Sequence, residues 1–450
     1  MEKLLRITRN PHAVRAFVVV VCTVGLVLVV RSLLTDHIDL LVYREAGRTV
    51  LGGGALYERE LLPGFNFTYT PWAAILFTPL ALVPEGVGDA VAVFGNSALL
   101  VFAACTSWRA LGTDRRSTTT ALGLMTASVA LVLEPVQTTV HIGQVNLLLL
   151  AVVLVDLLRD DRGPAKGIWV GIAAGIKLTP LFFVLYLLVT RRFRAAATAL
   201  GAFVGTVVAG FVLLPADSAT FWLGGTFASP ARVFTDPTDP GNQSVRGLLV
   251  RWFGDSATTQ VAWLVVVLAV AAAGLAVAAW ASRRGAELLA VTLCGLCSAA
   301  VSPWSWGHHW VWLVPLLVFA AHQVLLQSHR WPLWAALVGL TALTFPKVVR
   351  IGMPPPGTPL DPRTPELVIA FLGNLYLVIF ASALAVSALY LRSRASKRPE
   401  PGTASANPLS PNAADVHGGT DEARPCPVSG DTTSPSPAPG THPSFRVLSP

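Results

Sequence analysis

The chain reads as an all-α polytopic membrane protein, a bundle of apolar helices joined by polar connections. Three observations predict this class. Of 450 residues, 53% are apolar and only 13% are charged. The mean hydropathy is +0.60. Apolar runs long enough to cross roughly 30 Å of hydrocarbon recur from residue 16 to residue 391, leaving no room for a large soluble domain. The net charge of +8 does not indicate nucleic acid. The basic residues fall in short clusters between apolar runs, which is the positive-inside pattern.

The elements follow in order. Run 16–34 is preceded by Lys3, Arg6, Arg9 and Arg15 and has no small-residue cleavage site after it, so it is expected to be a retained signal anchor behind a cytoplasmic segment, 1–15. The clusters Arg109/Arg115/Arg116, Arg159/Arg162/Lys166, Arg191/Arg192/Arg194, Arg283/Arg284, Arg330 and Arg392/Arg394 can share that side only if two apolar stretches fail to cross. Stretch 72–83, between Pro71 and Pro84, is short for a span, and stretch 168–189 is interrupted by Lys177-Leu-Thr-Pro180. Both are expected to be short or broken helices. The crossings of a 16–391 membrane domain are then 16–34, 88–108, 119–134, 142–158, 195–214, 259–281, 288–302, 310–326, 332–345 and 366–391. That is about ten full spans plus two partial ones. Loops 35–71, 215–258, 303–309 and 346–365 fall on the outer side. The tail, 396–450, is rich in Pro, Ser and Thr and is expected to be disordered and cytoplasmic.

Nearly every unusual polar residue lands on the outer side: Asp36, Asp39, Tyr43, Arg44 and Glu45 in the first loop, then Glu134, His141 and Lys177, then Asn242-Gln-Ser244 with Arg246 and Arg251, and finally Trp304-Ser-Trp306-Gly-His308-His309. The carboxylates and histidines played no part in building the topology, so their gathering on one face is independent evidence for a site. A charge at the bilayer centre costs roughly 2.5 to 3.5 kcal/mol, so Lys177 should face an aqueous cavity or a partner. Cys294-Gly-Leu-Cys297 has redox or metal spacing but no second pair, and packing accounts for it better. The chain contains no nucleotide-binding fingerprint.

Over residues 35 to 350 a set of short motifs occurs in a fixed order. They are Asp39-Leu-Leu-Val-Tyr43 with Leu56-Tyr57, Phe67-Thr-Tyr-Thr-Pro71, Phe77-Thr-Pro-Leu80, Glu134-Pro-Val, Gly143-Gln-Val-Asn146, Gly175-Ile-Lys-Leu-Thr-Pro180, Asn242-Gln-Ser244 and Ser302-Pro-Trp-Ser-Trp-Gly-His-His309. This series resembles the polyprenol-phosphate-mannose-dependent α(1→2) mannosyltransferases of mycobacteria and related actinobacteria, glycosyltransferase family 87 of the GT-C class. The resemblance implies a GT-C helical bundle in the plasma membrane. It also implies a lipid-phosphate sugar donor, and a lipid-linked glycan acceptor of the phosphatidylinositol mannoside or lipomannan/lipoarabinomannan type, both met on the extracytoplasmic face. It places the essential carboxylate at Asp39, in the loop to which the residues themselves point. No nucleotide cofactor or metal is expected.

Transfer from a β-linked lipid phosphate to an α product is a single inverting displacement. It needs a base for the acceptor hydroxyl, and Asp39 is the candidate, with Asp36 behind it. The departing phosphate needs cationic or hydrogen-bonding stabilisation, for which Lys177, Arg246 and one of His308 or His309 are candidates. Glu134, Gln144 and Asn242 read as ligands of sugar hydroxyls or their supports, and Tyr43, Trp304 and Trp306 as apolar faces for sugar rings.

Blander readings stand beside these. Asp39 could cap the helix that follows it, the His pair could sit at the bilayer interface, Lys177 could snorkel, and Arg246 and Arg251 could be surface charges. Adjacent histidines with no third ligand are a poor metal site. Two other functions remain open at this point. One is a same-fold transferase of polyprenyl-phosphate arabinose. The other is a transporter of lipid-linked glycan, for which paired inverted repeats would be expected and none is evident.

Overall fold

The computed structural model describes residues 11–161, 163, 165–353 and 364–395. The expectations for the N-terminal segment, for part of loop 346–365 and for the tail 396–450 fall wholly or partly outside these residues. Among the described residues all regular structure is helical, apart from one isolated bridge between Leu62 and Phe65.

The first apolar run forms α1 (Pro11–Ser32). The loop after it is largely ordered as α2 (Ile38–Leu51), an amphipathic helix that buries Leu40, Val42, Tyr43 and Ala46. It packs on α3 (Pro71–Leu82), the short helix expected between the two prolines. Pro71 opens α3, and the Thr70 hydroxyl caps it by accepting from Ala73 N at 3.1 Å. Next come α4 (Glu85–Arg109), α5 (Arg116–Ala130), α6 (Glu134–His141), α7 (Asn146–Leu158), α8 (Ile168–Ile176), α9 (Phe182–Val189) and α10 (Phe193–Leu213). The expected break between α8 and α9 is present: Lys177 takes an extended backbone (φ −140°, ψ 133°), and a 3-10 turn, Thr179–Leu181, restarts the helix. The chain continues through α11 (Pro215–Ser218), α12 (Val245–Phe253), α13 (Ala257–Arg283), α14 (Glu287–Val301), α15 (Leu313–Leu325), α16 (Trp331–Ala342), α17 (Pro346–Gly352), α18 (Glu366–Leu372) and α19 (Leu375–Ala395).

Four helices, α4, α10, α13 and α19, are long and apolar enough to cross a membrane. The bent pairs α5–α6, at 85°, and α16–α17, at 74°, raise the number to six. This is a helical membrane protein, although these helices fall short of the ten crossings read from hydropathy. The crossings expected at 16–34, 142–158, 288–302 and 310–326 are apolar helices of only 10–17 residues, and at 366–391 the expected single span divides into α18 and α19 at Gly373-Asn374, leaving α19 as the part long enough to cross. The carbonyl freed at Gly373 accepts from Gln243 Nε2 at 2.6 Å and from Arg251 at 3.1 Å, and Arg251 also donates to Asn374 Oδ1 at 2.6 Å. Long-range polar contacts satisfy the break, and a hydropathy window cannot register them.

At the centre lies α14, with residues Leu288 to Ala300 all buried, packed against α13 and α15. Cys294 and Cys297 are buried free thiols within it, in keeping with the packing reading. The start of α8 is held from a distance. Asp156, on α7 and fully buried, accepts from the backbone N–H of Gly167 (2.9 Å), Trp169 (2.9 Å) and Val170 (3.0 Å), and pairs with Arg159 at 2.8 Å. These are the orphan donors of a helix whose own N-cap residue, Gly167, offers no side chain. Asp156→Ala strands all three donors at about 1–3 kcal/mol each. The expected outcome is a melting temperature for the purified protein several degrees below that of the parent; an unchanged melting curve would refute this cap.

Candidate active site

The start of α2 is pinned to the corner between α6 and α7, where the backbone N–H groups of Asp39 and Leu40 both donate to Ile142 O, at 3.1 and 3.2 Å. The corner turns through Gly143, at φ 74°, where a Cβ would also lie 2.7 Å from Leu40 Cβ. Only glycine meets both demands, and the next residue, Gln144, is thereby delivered to Asp39. Gln144 Nε2 donates to Asp39 Oδ2 at 2.6 Å, Tyr69 donates to Gln144 Oε1 at 2.8 Å, and the Tyr43 and Tyr69 hydroxyls are 2.7 Å apart. A carboxylate and an amide oxygen can only accept, so Tyr69 spends its single proton on Gln144 and Tyr43 must donate to Tyr69. The chain of hydrogen bonds runs one way, Tyr43 to Tyr69 to Gln144 to Asp39. The cap reading for Asp39 is not what the structure shows: His37 is the N-cap residue of α2, without a side-chain cap bond, and Asp39 binds the Gln144 side chain from the α6–α7 corner. Burial raises the pKa of Asp39, while the Gln144 hydrogen bond and the nearby Lys177 charge hold it down.

Lys177 arrives from the α8–α9 break. The Thr70 hydroxyl, which donates to Gly175 O, ties that break to the start of α3. Lys177 Nζ donates to Asn146 Oδ1 at 3.1 Å, lies 3.1 Å from His309 Nε2, and sits 5.5 Å from the Tyr69 ring centroid. It is partnered inside the bundle rather than reaching for the surface. Among the described residues it makes no ion pair with Asp39, although its charge acts on that carboxylate. Asn146 Nδ2 in turn donates to His308 O at 2.9 Å. The His308 and His309 rings stand 4.7 Å apart at 89°. Burial first and the Lys177 charge second push the pKa of His308 down to about 3, and the same causes, with His308 added, hold His309 well below the ordinary imidazole range. Both rings are therefore neutral at physiological pH, and Lys177 is the cation of this cluster.

The histidine pair divides two spaces. On one side a small cavity of about 30 Å³ is lined by Lys177, Asn146 and His309. On the other a cavity of about 300 Å³ is lined by Arg31, Glu134, His141, Trp306, His308 and Arg350. The Nε2 atoms of His141 and His308 are buried and have no hydrogen-bond partner among the described residues. Glu134 accepts from the Tyr376 hydroxyl and lies against Gly307, where a Cβ would overlap its carboxylate. Nitrogens without partners, a carboxylate, two arginines and an indole face suit a polyhydroxylated ligand bearing negative charge.

Not every predicted residue joins the cluster. Tyr43 is 1% exposed, with its ring stacked on Phe77 at 4.3 Å, so its hydroxyl enters the network but its face is not open to a sugar. Asn242 is fully buried and accepts from Ser305 N at 3.1 Å, which makes it a strut for the Trp304 loop. Trp304 is buried among Phe234 and Trp306. Arg246 sits 3.8 Å from Asp255, apart from Lys177, and Asp36 is exposed with no side-chain contact to the cluster among the described residues. Arg251, read as a possible surface charge, pins the α18–α19 break. Four participants escaped sequence reading. Tyr69 and Asn146 lay within quoted motifs, whereas Arg31 and Tyr376 carried no signal, because only the fold brings them near.

The family model described as Glycosyltransferase family 87 matches residues 67–303. The chain belongs to glycosyltransferase family 87. It is 31% identical over 341 residues, 68% of this chain and 75% of the relative, to the polyprenol-phosphate-mannose-dependent alpha-(1-2)-phosphatidylinositol mannoside mannosyltransferase of Mycolicibacterium smegmatis. It is 35% identical over 335 residues, 71% of this chain and 78% of the relative, to the corresponding pentamannoside mannosyltransferase of that organism. The Mycobacterium tuberculosis pentamannoside enzyme is 36% identical over 293 residues, 63% of this chain and 66% of the relative. No solved structure matches. The family 87 match holds Tyr69, Glu134, Gln144, Asn146 and Lys177, while Asp39, His308 and His309 lie outside it and meet these residues through the fold.

Proposed function

We propose that this family 87 glycosyltransferase moves mannose from polyprenyl-phosphate mannose to a phosphatidylinositol mannoside or a related lipid-linked mannoside, forming an α(1→2) bond. The observation that carries this reading is the pairing of a half-buried, hydrogen-bonded carboxylate, Asp39, with a cation, Lys177, that does not neutralise it through an ion pair. Asp39 takes the proton of the acceptor hydroxyl as that oxygen attacks the anomeric carbon from the face opposite the phosphate. The C–O bond to phosphate breaks, and Lys177 and a neutral His309 receive the developing phosphate charge. Glu134, His141 and His308 bind sugar hydroxyls in the larger cavity, with Arg31 and Arg350 toward the charged part of a lipid substrate. The reaction draws on no nucleotide cofactor. We further place the site on the extracytoplasmic face of a plasma-membrane bundle of about ten spans, with the tail on the cytoplasmic side, on the strength of the basic clusters between apolar runs.

The test uses the purified full chain in detergent, polyprenyl-phosphate mannose with a labelled sugar, and a panel of phosphatidylinositol mannosides. Label should appear in an α(1→2)-linked product. Transfer from the arabinose donor alone would move the chain to the arabinofuranosyl reading, and no transfer with any pair would remove the enzymatic one.

The one-way relay yields a pH prediction. The base must be ionised, so activity falls as pH drops through the Asp39 pKa. Gln144→Leu removes a hydrogen bond that lowers that pKa. The acid limb of the kcat profile should therefore move to higher pH. Tyr69→Phe should move it in the same direction and by less, since it frees the amide to rotate without deleting it. Limbs that coincide with the parent's would exclude Asp39 as the titrating base.

A further inference from the structure

A second polar cavity, of about 500 Å³, lies at the far end of the bundle. Its walls include Lys166, Arg191, Arg192, Arg194 and Arg283, against one lining carboxylate, Asp161. The 15-residue α14 begins beside it at Glu287 and ends at Val301, next to the Trp304–His309 loop. At 1.5 Å per residue that helix separates the two sites by roughly 22 Å.

Arg194 donates to the Asp161 and Gly163 carbonyls, each at 3.1 Å, and the other four cations divide into two groups. Lys166 Nζ is saturated, donating to Leu157 O at 3.0 Å, to Arg159 O at 2.7 Å and to Asp161. Arg192 is gripped by Glu287 through both carboxylate oxygens and by Asp161 at 2.9 Å. These two build the wall. Arg191 and Arg283 are exposed and make no ion pair among the described residues. Arg191 also holds φ at 61°, the left-handed region, at the end of α9, where its N–H donates to Leu188 O. Glycine ordinarily occupies such a position, so here a cation stands at the cavity in a backbone conformation that disfavours it. The first turn of α10, whose N-cap residue gives no side-chain hydrogen bond, adds N–H groups and favours an anion.

The surface beside the mouth is apolar. Leu185, Leu188, Val189 and Phe193 are 45%, 41%, 44% and 61% exposed. A basic cavity bordered by exposed aliphatic and aromatic side chains matches one molecule with both characters. We propose that this cavity binds the phosphate headgroup of an anionic phospholipid, with an acyl chain lying along the α9–α10 face. Arg191 and Arg283 hold the phosphate, while Lys166 and Arg192 shape the wall. This site is separate from the transferase chemistry and does not depend on it.

Native mass spectrometry of the full chain, released from nonionic detergent after equilibration with equimolar phosphatidylglycerol and phosphatidylcholine, tests the proposal. The parent should retain phosphatidylglycerol on the order of tenfold more than phosphatidylcholine. Arg191→Gly combined with Arg283→Gln should bring the ratio to near parity. Arg191→Gly relieves the left-handed backbone while removing the cation, so loss of binding in that single variant cannot be put down to a failed fold. Excess inorganic phosphate should leave the lipid bound. Equal retention of the two lipids by the parent, an undiminished preference in the variants, or displacement by inorganic phosphate, which would point to a soluble phosphate ligand, would each overturn the proposal.

Discussion

Asp39→Asn should abolish most mannosyl transfer while leaving the fold intact. Loss of a positioned base typically costs about 10² to 10⁴ in rate, and here the loss should fall on kcat, because the substituted side chain can still accept from Gln144 Nε2. Preserving that hydrogen bond keeps the α2 start against Gln144, so the melting temperature should stay close to the parent's. Asp36→Asn is the internal control. Asp36 is exposed and touches none of the cluster among the described residues, and its substitution should leave turnover unchanged. A well-folded Asp39→Asn protein retaining more than about a tenth of parental kcat would contradict the assignment of the base.

Lys177→Gln should produce the second largest loss. The amide still fits between Asn146 and His309 but brings no charge. With both imidazoles neutral, no other cation in the cluster replaces it. Removing one preorganised stabiliser of developing negative charge costs about 10² to 10³ in kcat. Arg246→Gln should show no comparable loss, since Arg246 faces Asp255 and not the Lys177 cluster. Comparing the two variants with a donor bearing a better leaving group separates the roles. The Lys177→Gln deficit should shrink as the leaving group improves, and a constant deficit would make Lys177 a structural residue.

Much of this was legible in the primary structure, for reasons particular to each residue. The α8–α9 break could be read because a lysine and a proline two turns deep in an apolar run contradict a continuous span. α3 could be read because Pro71 and Pro84 bracket it. Asp39 stood out as a carboxylate following an anchor helix. The division of 366–391 was hidden, because Gly373-Asn374 is an ordinary pair in sequence and becomes a break only where Gln243 and Arg251, more than a hundred residues away, bind its carbonyl. The bend between α5 and α6 was equally hidden, since hydropathy is blind to direction.

The helical membrane class, the chemistry-bearing residue types and the family were set by local composition and by ordered short motifs, which need no neighbours to be recognised. Which of those residues cooperate was decided by the tertiary structure. Tyr43 and Asn242 became supports, Arg246 was left aside, and Tyr69 and Asn146 were drawn in beside Gln144 and Lys177. The reason is geometric. A hydrogen bond is made or lost within a few tenths of an ångström, and that distance is set where helices meet, at contacts such as Gly143 against Leu40.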